Sequence, residues 1–421
     1  MRLFLFIFLL ISLAFAADLA AKEKKLPKDP LLIKAQKGDP ESCFALGNEF
    51  YYGEKRKLNY TLAAFWYRKA AEKGLPEAMY NFAICLEGGF GVDKNVEKAI
   101  HWYRRSMEKG FDTARYRIAN MYLTGVKDEK GKVILKRSPA SALEHLEILN
   151  IREYEDGELA LARLFLDPKA SYARKGRAFT ILQKVAARKN PSPAAFRMLA
   201  DCYYGGYGVK VDPVYAGKLL EKAVHYGDGE AMAKLGFLYE RGEGGKKQDL
   251  EKAFSYYEMA AKKDHPMALF KMAEALFEGK IQREKIKLRE ILKLYERSAA
   301  GDCPQAMFKL GIIYYEGLRG VEKNPGIAAR CFYEGARLGY VPCMYNFGCL
   351  FETGEGVRKD PAAAFYWFRR AAEEGHGASM RKAGIALMRG EGTNQDVRQG
   401  RNLLRMAAER GDPAAARILG E

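Results

Sequence analysis

Histidine is scarce in this sequence, and the common metal-binding and catalytic motifs are missing. The five histidines, His101, His145, His225, His265 and His376, lie far apart, and none belongs to an HExxH motif. To form a metal site, the fold would have to bring several of these distant histidines together by chance. The sequence also lacks the Gly-x-Ser-x-Gly elbow of a nucleophilic serine and the Gly-Lys-Ser/Thr end of a phosphate-binding loop. We therefore predict no enzyme activity, no metal site and no cofactor.

Long apolar runs are missing everywhere except at the N-terminus. There, Arg2 precedes an apolar run from Leu3 to Leu13, which is followed by Ala14-Phe15-Ala16. This order is typical of a secretory signal peptide, so we predict cleavage after Ala16; the alternative is an uncleaved N-terminal anchor. No later segment is long and apolar enough for a membrane helix. We expect an exported protein, periplasmic or secreted, or one in the endoplasmic reticulum lumen if the host is eukaryotic.

Acidic residues are fewer than basic ones. The chain has 53 Asp and Glu against 70 Lys and Arg, a formal charge of +17, which favours anionic partners. Residues 17–34 combine lysines with prolines and have little to bury, so they are predicted to form a basic flexible leader. Of the 421 residues 48% are hydrophobic, enough for a packed interior, but the length exceeds one ordinary domain. Several domains or an array of repeats are therefore expected.

A repeat of about 36 residues runs through the chain from residue 35 to residue 421. Each unit has a small residue at a position that we call n, mostly large apolar residues at n+4 and n+8, and usually a glycine at n+11. Positions n, n+4 and n+8 share one face of a helix, and the glycine is suited to end it. Position n is occupied by Ser42, Ala78, Ala114, Ala160, Ala195, Ala231, Ala268, Ala306, Cys343, Ser379 and Ala415.

A second helix is predicted in each unit, with an apolar stripe at offsets 0, 3, 4 and 7, as in Ala253, Tyr256, Tyr257 and Ala260. Neither helix can bury its stripe alone, so stability must come from stacking on the next unit. We predict an all-α fold, an α-solenoid of about ten antiparallel helix pairs plus a terminal half-repeat. Irregular geometry is expected around residues 126–190, including a longer loop, and around residues 279–292.

The repeats resemble the Sel-one-like repeat (SLR) family, which is related to the tetratricopeptide repeat (TPR). The resemblance rests on runs such as Leu86-Glu87-Gly88-Gly89-Phe90-Gly91-Val92 and Gly354-Glu355-Gly356-Val357-Arg358-Lys359-Asp360. It implies a right-handed superhelix that acts as a scaffold or adaptor for other proteins, often secreted or periplasmic in bacteria. Members share no set of catalytic residues, so the resemblance implies none here.

One flank of the first helices is a candidate partner-binding surface. Position n+3 is basic in six units and asparagine in two others, and n+2 is often aromatic. Stacking would turn the basic positions into a ladder of positive charge, which we expect to bind an acidic or extended protein segment; the alternative is a solvated flank. The candidate residues are Arg117, Arg163, Lys234, Lys271, Lys309, Lys382, Asn81, Asn346, Tyr116, Phe270, Phe308 and Tyr345.

A second basic cluster spans residues 169–189 and has no acidic residue within it. It could contact an anionic envelope polymer or lipid. Export disfavours nucleic acid as a partner. The rival function is therefore a cell-envelope hydrolase or an anionic-polysaccharide-binding protein.

The cysteine count is odd, since the chain has seven. In an exported chain at least one is then free or pairs with another molecule. Cys331 and Cys349 lie at equal heights on the two helices of one predicted pair, so they form a candidate disulfide. The alternative is that all are small buried thiols.

Overall fold

The computed structural model describes residues 29–168, 173–283 and 286–420. The predicted signal peptide, residues 1–16, and residues 17–28 of the predicted leader lie outside these described residues. Across the described part no helix is long and apolar enough to cross a membrane. The described residues divide into two compact units, one up to residue 181 and one from residue 182 onward.

The described residues form 22 α-helices, one two-stranded hairpin and one short 3-10 turn. Around the first unit they are α1 Pro30–Gln36, α2 Pro40–Tyr52, α3 Tyr60–Glu72, α4 Pro76–Gly88, α5 Val96–Glu108, α6 Asp112–Thr124, β1 Val126–Lys127, β2 Val133–Leu135, α7 Pro139–Ile151, α8 Glu155–Leu166 and α9 Lys175–Ala186, the last of which contains the unit boundary. The second unit continues with α10 Pro193–Gly205, α11 Pro213–His225, α12 Gly229–Arg241, α13 Leu250–Ala261, α14 Pro266–Phe277, α15 Leu288–Ala300, α16 Pro304–Glu316, the 3-10 turn Leu318–Gly320, α17 Pro325–Arg337, α18 Val341–Thr353, α19 Pro361–Glu373, α20 Gly377–Arg389, α21 Val397–Glu409 and α22 Pro413–Leu419.

The predicted all-α architecture of helix pairs is confirmed. From α2 onward the even-numbered helices are the first helices of the repeats, the odd-numbered ones are the second helices, and α22 is the terminal half-repeat. Within each unit, helices that follow one another in the sequence pack together.

Local sequence explains where the helices begin and end. The second helices often start after Asn or Asp, as at Asn95, whose side chain accepts the Lys98 backbone N–H at 2.9 Å. The first helices commonly end at the predicted n+11 glycine; Gly53, Gly89, Gly206, Gly242, Gly317, Gly354 and Gly390 all take the left-handed conformation there. These residues turn the chain back, so that the second helix runs antiparallel to the first.

The two helices of a repeat meet where small residues face large rings. Position n is fully buried at Ala231 and Ala306, where close packing between the helices leaves room only for a small side chain. At n+5, a Cβ on Gly236 would lie 2.6 Å from the ring of Tyr257, which is buried in the second helix of the same repeat. The absence of a side chain at n+5 therefore permits this ring to pack against the first helix.

The irregular region around residues 126–190 contains a hairpin where a longer loop was expected. Strand β1 pairs with β2 in antiparallel register, and Leu135 is buried beside the core of the first repeats. Farther along, α8 ends at Asp167 in an extended conformation instead of at a glycine. The hairpin follows Gly125, which stands at n+11 and caps α6, whereas in the next unit the sequence has Ser171 in place of the n+11 glycine.

The array also begins earlier than the sequence indicated. Helix α1 starts at Pro30, so residues 30–34 of the predicted leader are helical, and its N-cap Asp29 accepts the Leu31 N–H at 3.0 Å. Ala35 is completely buried and its carbonyl accepts the Cys43 thiol at 3.3 Å. This short helix covers the outer side of the first repeat.

All seven cysteines lie among the described residues, and all are free thiols. Cys331 packs at the edge of one core cluster with Ile313, whereas Cys349 packs against another with Phe368. The candidate disulfide between Cys331 and Cys349 is therefore not formed in the structure, because the two side chains pack against different core clusters. Burial raises the pKa of both thiols, that of Cys331 to about 11.

Candidate protein-binding groove

A groove of about 700 Å³ opens along the first helices of the second unit. It crosses α10 and α12 and reaches the starts of α14 and α16, and α11 contributes two residues to its floor. The lining residues are Ala200, Asp201, Tyr204, Ala216, Leu220, Glu230, Ala233, Lys234, Phe237, Leu238, His265, Pro266, Met267, Asp302, Cys303, Pro304 and Gln305.

The floor of the groove is apolar and its walls carry two exposed aromatic rings. Ala200, Leu220 and Leu238 are buried beneath it, whereas Tyr204 is 41% exposed and Phe237 is 39% exposed. Exposed aromatic side chains beside buried aliphatic ones are typical of surfaces that bind protein segments.

Two polar pairs lie at the rim. The Lys234 ammonium donates to both carboxylate oxygens of Asp201, at 2.6 and 2.8 Å. Since Asp201 belongs to α10 and Lys234 to α12, this ion pair also joins two successive repeats.

The second rim pair joins Glu230 of α12 to His265, the N-cap of α14. The His265 Nδ1 accepts the Ala268 backbone N–H at 3.3 Å, so Nε2 carries the proton and donates to Glu230, also at 3.3 Å. This hydrogen bond, assisted by the charge of Lys234, lowers the pKa of Glu230 to about 2. Glu230 is therefore ionised at neutral pH.

Most cations of the predicted ladder of positive charge are engaged in ion pairs. Five of the six n+3 cations pair with a carboxylate of the preceding first helix: Lys234 with Asp201, Lys271 with Glu240 at 3.1 Å, Lys309 with Glu274 and Glu278 at 3.4 and 3.3 Å, Lys382 with Glu352 at 2.7 Å, and Arg117 with Glu87. The sixth, Arg163, is exposed. We call the ion pairs of these five cations the seam. Whether seam residues also contact a partner stays a prediction.

The side chains of the two asparagines in this row make hydrogen bonds to other residues of the chain. The Asn81 amide donates to Asn48 of the preceding first helix at 3.4 Å, whereas that of Asn346 donates to the Pro342 carbonyl within its own helix at 2.8 Å. The sequence signal that would have revealed the seam is a carboxylate about one repeat earlier in the sequence than each paired n+3 cation.

The predicted aromatic residues at n+2 pack on the following repeat. Tyr116 contacts Tyr154, Phe308 contacts Tyr340, and Tyr345 contacts His376, with ring centroids 6.1, 6.0 and 5.1 Å apart. Each contacted residue is the N-cap of the next first helix. Phe270 is buried, with its ring 6.1 Å from that of Tyr295. Of the twelve candidate binding residues, Lys234 lines the groove.

Buried tyrosines of the second helices donate hydrogen bonds to carboxylates of the seam. Tyr257 donates to the Glu240 carboxylate at 2.5 Å, and the other oxygen of that carboxylate accepts from Lys271. Tyr103 donates to Glu87 at 2.8 Å in the same way. In another repeat, Tyr295 is fully buried and its hydroxyl has no hydrogen-bond partner among the described residues.

Removing the hydroxyl of Tyr257 should therefore destabilise the chain, whereas removing that of Tyr295 should not. We expect Tyr257→Phe to lower the free energy of unfolding by about 1.5–3 kcal/mol, the usual range for a hydrogen bond to a charged group. Tyr295→Phe removes a buried hydroxyl that lacks a partner, so its effect should be near zero or stabilising. Urea denaturation followed by circular dichroism measures both. Equal losses in the two variants would contradict this account of the seam.

The second predicted basic cluster lies partly outside the described residues, at Lys169. Within the described part, Arg177 forms a bidentate pair with Glu147 at 2.8 and 2.9 Å. This cation is therefore already neutralised by a carboxylate.

The described residues contain no group of three or more His, Cys, Asp or Glu side chains arranged to hold a metal ion. Catalysis by the groove carboxylates finds no support in their electrostatics. A general acid needs a raised pKa, whereas the hydrogen bond from His265 lowers that of Glu230. Asp201 is held by Lys234.

Helix pairs that repeat about every 36 residues, with ion pairs or ring contacts between many successive repeats inside each unit, define an α-helical repeat protein. Seven segments match the family model of the Sel1 repeat: residues 40–75, 76–111, 193–225, 229–265, 304–340, 341–376 and 377–412. Because these segments make up more than half of the sequence, the chain belongs to the Sel1 repeat family. The unmatched stretches 112–192 and 266–303 contain the two regions for which the sequence predicts irregular geometry.

Solved structures of similar fold include other Sel1 repeat proteins. A protective antigen present in uropathogenic Escherichia coli strains, which displays an SLR fold, is 23% identical with a TM-score of 0.52; the match covers 92% of this chain and 80% of that one. A Sel1 repeat protein from Oxalobacter formigenes is 26% identical with a TM-score of 0.49, covering 59% of this chain and 96% of that one. Repeat scaffolds of this kind are typical of protein–protein interaction.

Proposed function

We propose that this chain is an exported adaptor that binds an extended segment of a partner protein in the groove of its second unit. The observation that carries the proposal is the groove itself, which is lined by the first helices of successive repeats, with an apolar floor and exposed aromatic walls. Its volume lies within the roughly 300–1,000 Å³ of ordinary binding clefts. The groove crosses several repeats, so a chain laid across them would contact each in turn.

Export rests on the N-terminal sequence. The order of Arg2, an apolar run and Ala14-Phe15-Ala16 supports a signal peptide. N-terminal sequencing of the protein from its host is the test. A mature chain that begins at Ala17 supports export, and a chain that keeps residues 1–16 overturns the predicted cleavage.

The groove can be tested by removing its exposed rings. The double variant Tyr204→Ala/Phe237→Ala should lose partner capture from host extract by at least about tenfold, because aromatic anchors dominate such interfaces. Tyr333→Ala/Tyr366→Ala is the matched control, since both rings are similarly exposed but lie on second helices. Quantitative mass spectrometry of the captured proteins gives the readout.

Two outcomes of this comparison would count against the proposal. Equal capture by the parent and the groove variant would show that the groove is not the binding surface. Loss in the control variant alone would move the binding surface to the second helices.

A further inference from the structure

We propose that the segment bound in this groove carries basic side chains between apolar ones. This inference rests on the proposed function and names the chemical class of its partner. It reverses the sign of partner charge that the cations at n+3 suggested.

The charges at the rim of the groove carry the argument. Three carboxylates line it, Asp201, Glu230 and Asp302, against one lysine, Lys234. Lys234 is bound to Asp201 through both oxygens. His265 offers Glu230 a neutral N–H, because its Nδ1 is occupied as an acceptor. The rim therefore has two carboxylates in excess, although the whole chain has a formal charge of +17.

The two excess carboxylates are accessible to a ligand. The Glu230 side chain is 49% exposed, and Asp302 is exposed and forms no ion pair with any described residue. An arginine or lysine laid beside them would gain charge-assisted hydrogen bonds. A glutamate or aspartate would meet like charges there, which disfavours it.

The helix starts at the groove do not reverse this preference. The positive ends of α12, α14 and α16 point toward this region, but Glu230 already lies in the first turn of α12. Helices α14 and α16 both begin with proline, at Pro266 and Pro304, and the ring of His265 accepts one of the free N–H groups of α14.

The groove also accommodates apolar side chains next to the charged ones. Its floor at Leu220 and Leu238 is aliphatic, and Phe237 and Tyr204 stand beside it. First helices about 8–10 Å apart place the four helices that line the groove across about 25–30 Å. At about 3.3 Å per residue, an extended segment of about eight residues spans that distance.

Three pools of fluorescein-labelled octapeptides test the inference on the full chain. Each pool has two fixed positions, both Arg, both Gln or both Glu, among degenerate Leu, Phe, Met and Tyr positions. Fluorescence anisotropy should show the Arg pool binding at least about tenfold more tightly than the Glu pool, with the Gln pool between them.

Variants locate the preference in the groove. Glu230→Gln/Asp302→Asn should bring the Arg and Glu pools within about threefold of each other. Glu322→Gln/Glu334→Gln removes the same charge from exposed positions outside the groove and should keep the preference. Circular dichroism sets the temperature at which all variants are folded, since Glu230 also serves the start of α12.

The outcomes separate this inference from the proposed function. If the pools bind equally, if the Glu pool binds most tightly, or if Glu230→Gln/Asp302→Asn keeps the preference, the charge assignment is overturned while the groove remains a binding site. If every pool binds Tyr204→Ala/Phe237→Ala as tightly as it binds the parent, the proposed function of the groove fails.

Discussion

Gly356→Ala should lower the free energy of unfolding by about 2–5 kcal/mol, because it combines a strained backbone with a steric overlap. Gly356 has a φ of +72°, and a Cβ built on it would overlap the carbonyl group of Pro325, at the start of the second helix of the preceding repeat. Neither group is the end of a flexible side chain, so one of the two repeats must shift.

Gly339→Ala is the matched control that measures the cost of backbone strain without the steric overlap. Gly339 has a φ of +85°, and a Cβ there would meet nothing within 4 Å. We expect it to cost only the strain of a left-handed alanine, about 1–2 kcal/mol. Chemical denaturation of the two variants measures the difference. Equal losses would show that contact between the glycine loop and Pro325 contributes nothing to stacking.

The same contact recurs at Gly91 against Tyr60 and at Gly392 against Pro361. The second glycine of a Gly-x-Gly element therefore brings the loop of one repeat onto the backbone of the repeat before it. The repeat pattern predicts the first glycine of each element, at n+11, to end a helix, and that glycine is the helix C-cap. The role of the second depends on an approach between residues more than thirty positions apart, which a local pattern does not reveal.

Ala231→Trp is the second substitution with a large expected effect. Ala231 is fully buried at position n of its repeat, and its N–H is held by the N-cap Asp228 at 2.8 Å. An indole at this site would overpack the contact between helices, at about 3 kcal/mol or more. Thermal unfolding followed by far-ultraviolet circular dichroism is the measurement. The Ala231→Trp variant should lose its signal at a lower temperature than the parent.

Ala300→Trp serves as the control for this variant. Ala300 is an exposed residue at the end of α15, so an indole there should change stability by no more than about 0.5 kcal/mol. If Ala231→Trp melts like the parent, the assignment of position n to the buried contact is wrong.

The fold was predictable because its signals are local and repeated. Ala231, Leu235 and Tyr239 lie on one helical face, and Gly242 follows at the expected place and caps α12. The departures arose where this signal is interrupted, as in the hairpin of β1 and β2, whose pairing joins Val126 to Leu135. Nothing in a helical period predicts such pairing.

The charge of the candidate site was harder to predict because its partners come from different repeats. Lys234 is a cation in the pattern, but Asp201, 33 residues earlier, holds it in the structure. The groove carboxylate Asp302 belongs to a turn before α16, outside the positions that the repeat pattern follows. A search for acids one repeat ahead of each cation would have found the seam, whereas the groove required coordinates.

Photo-crosslinking from the groove tests the central claim most directly. A photoreactive phenylalanine analogue at position 237 should form crosslinks to a partner segment in the native host, and the same analogue at position 333 should not, because Tyr333 is similarly exposed but lies on a second helix. Mass spectrometry should identify a crosslinked peptide that contains basic and apolar residues. Crosslinks from position 333 with none from position 237 would contradict the account.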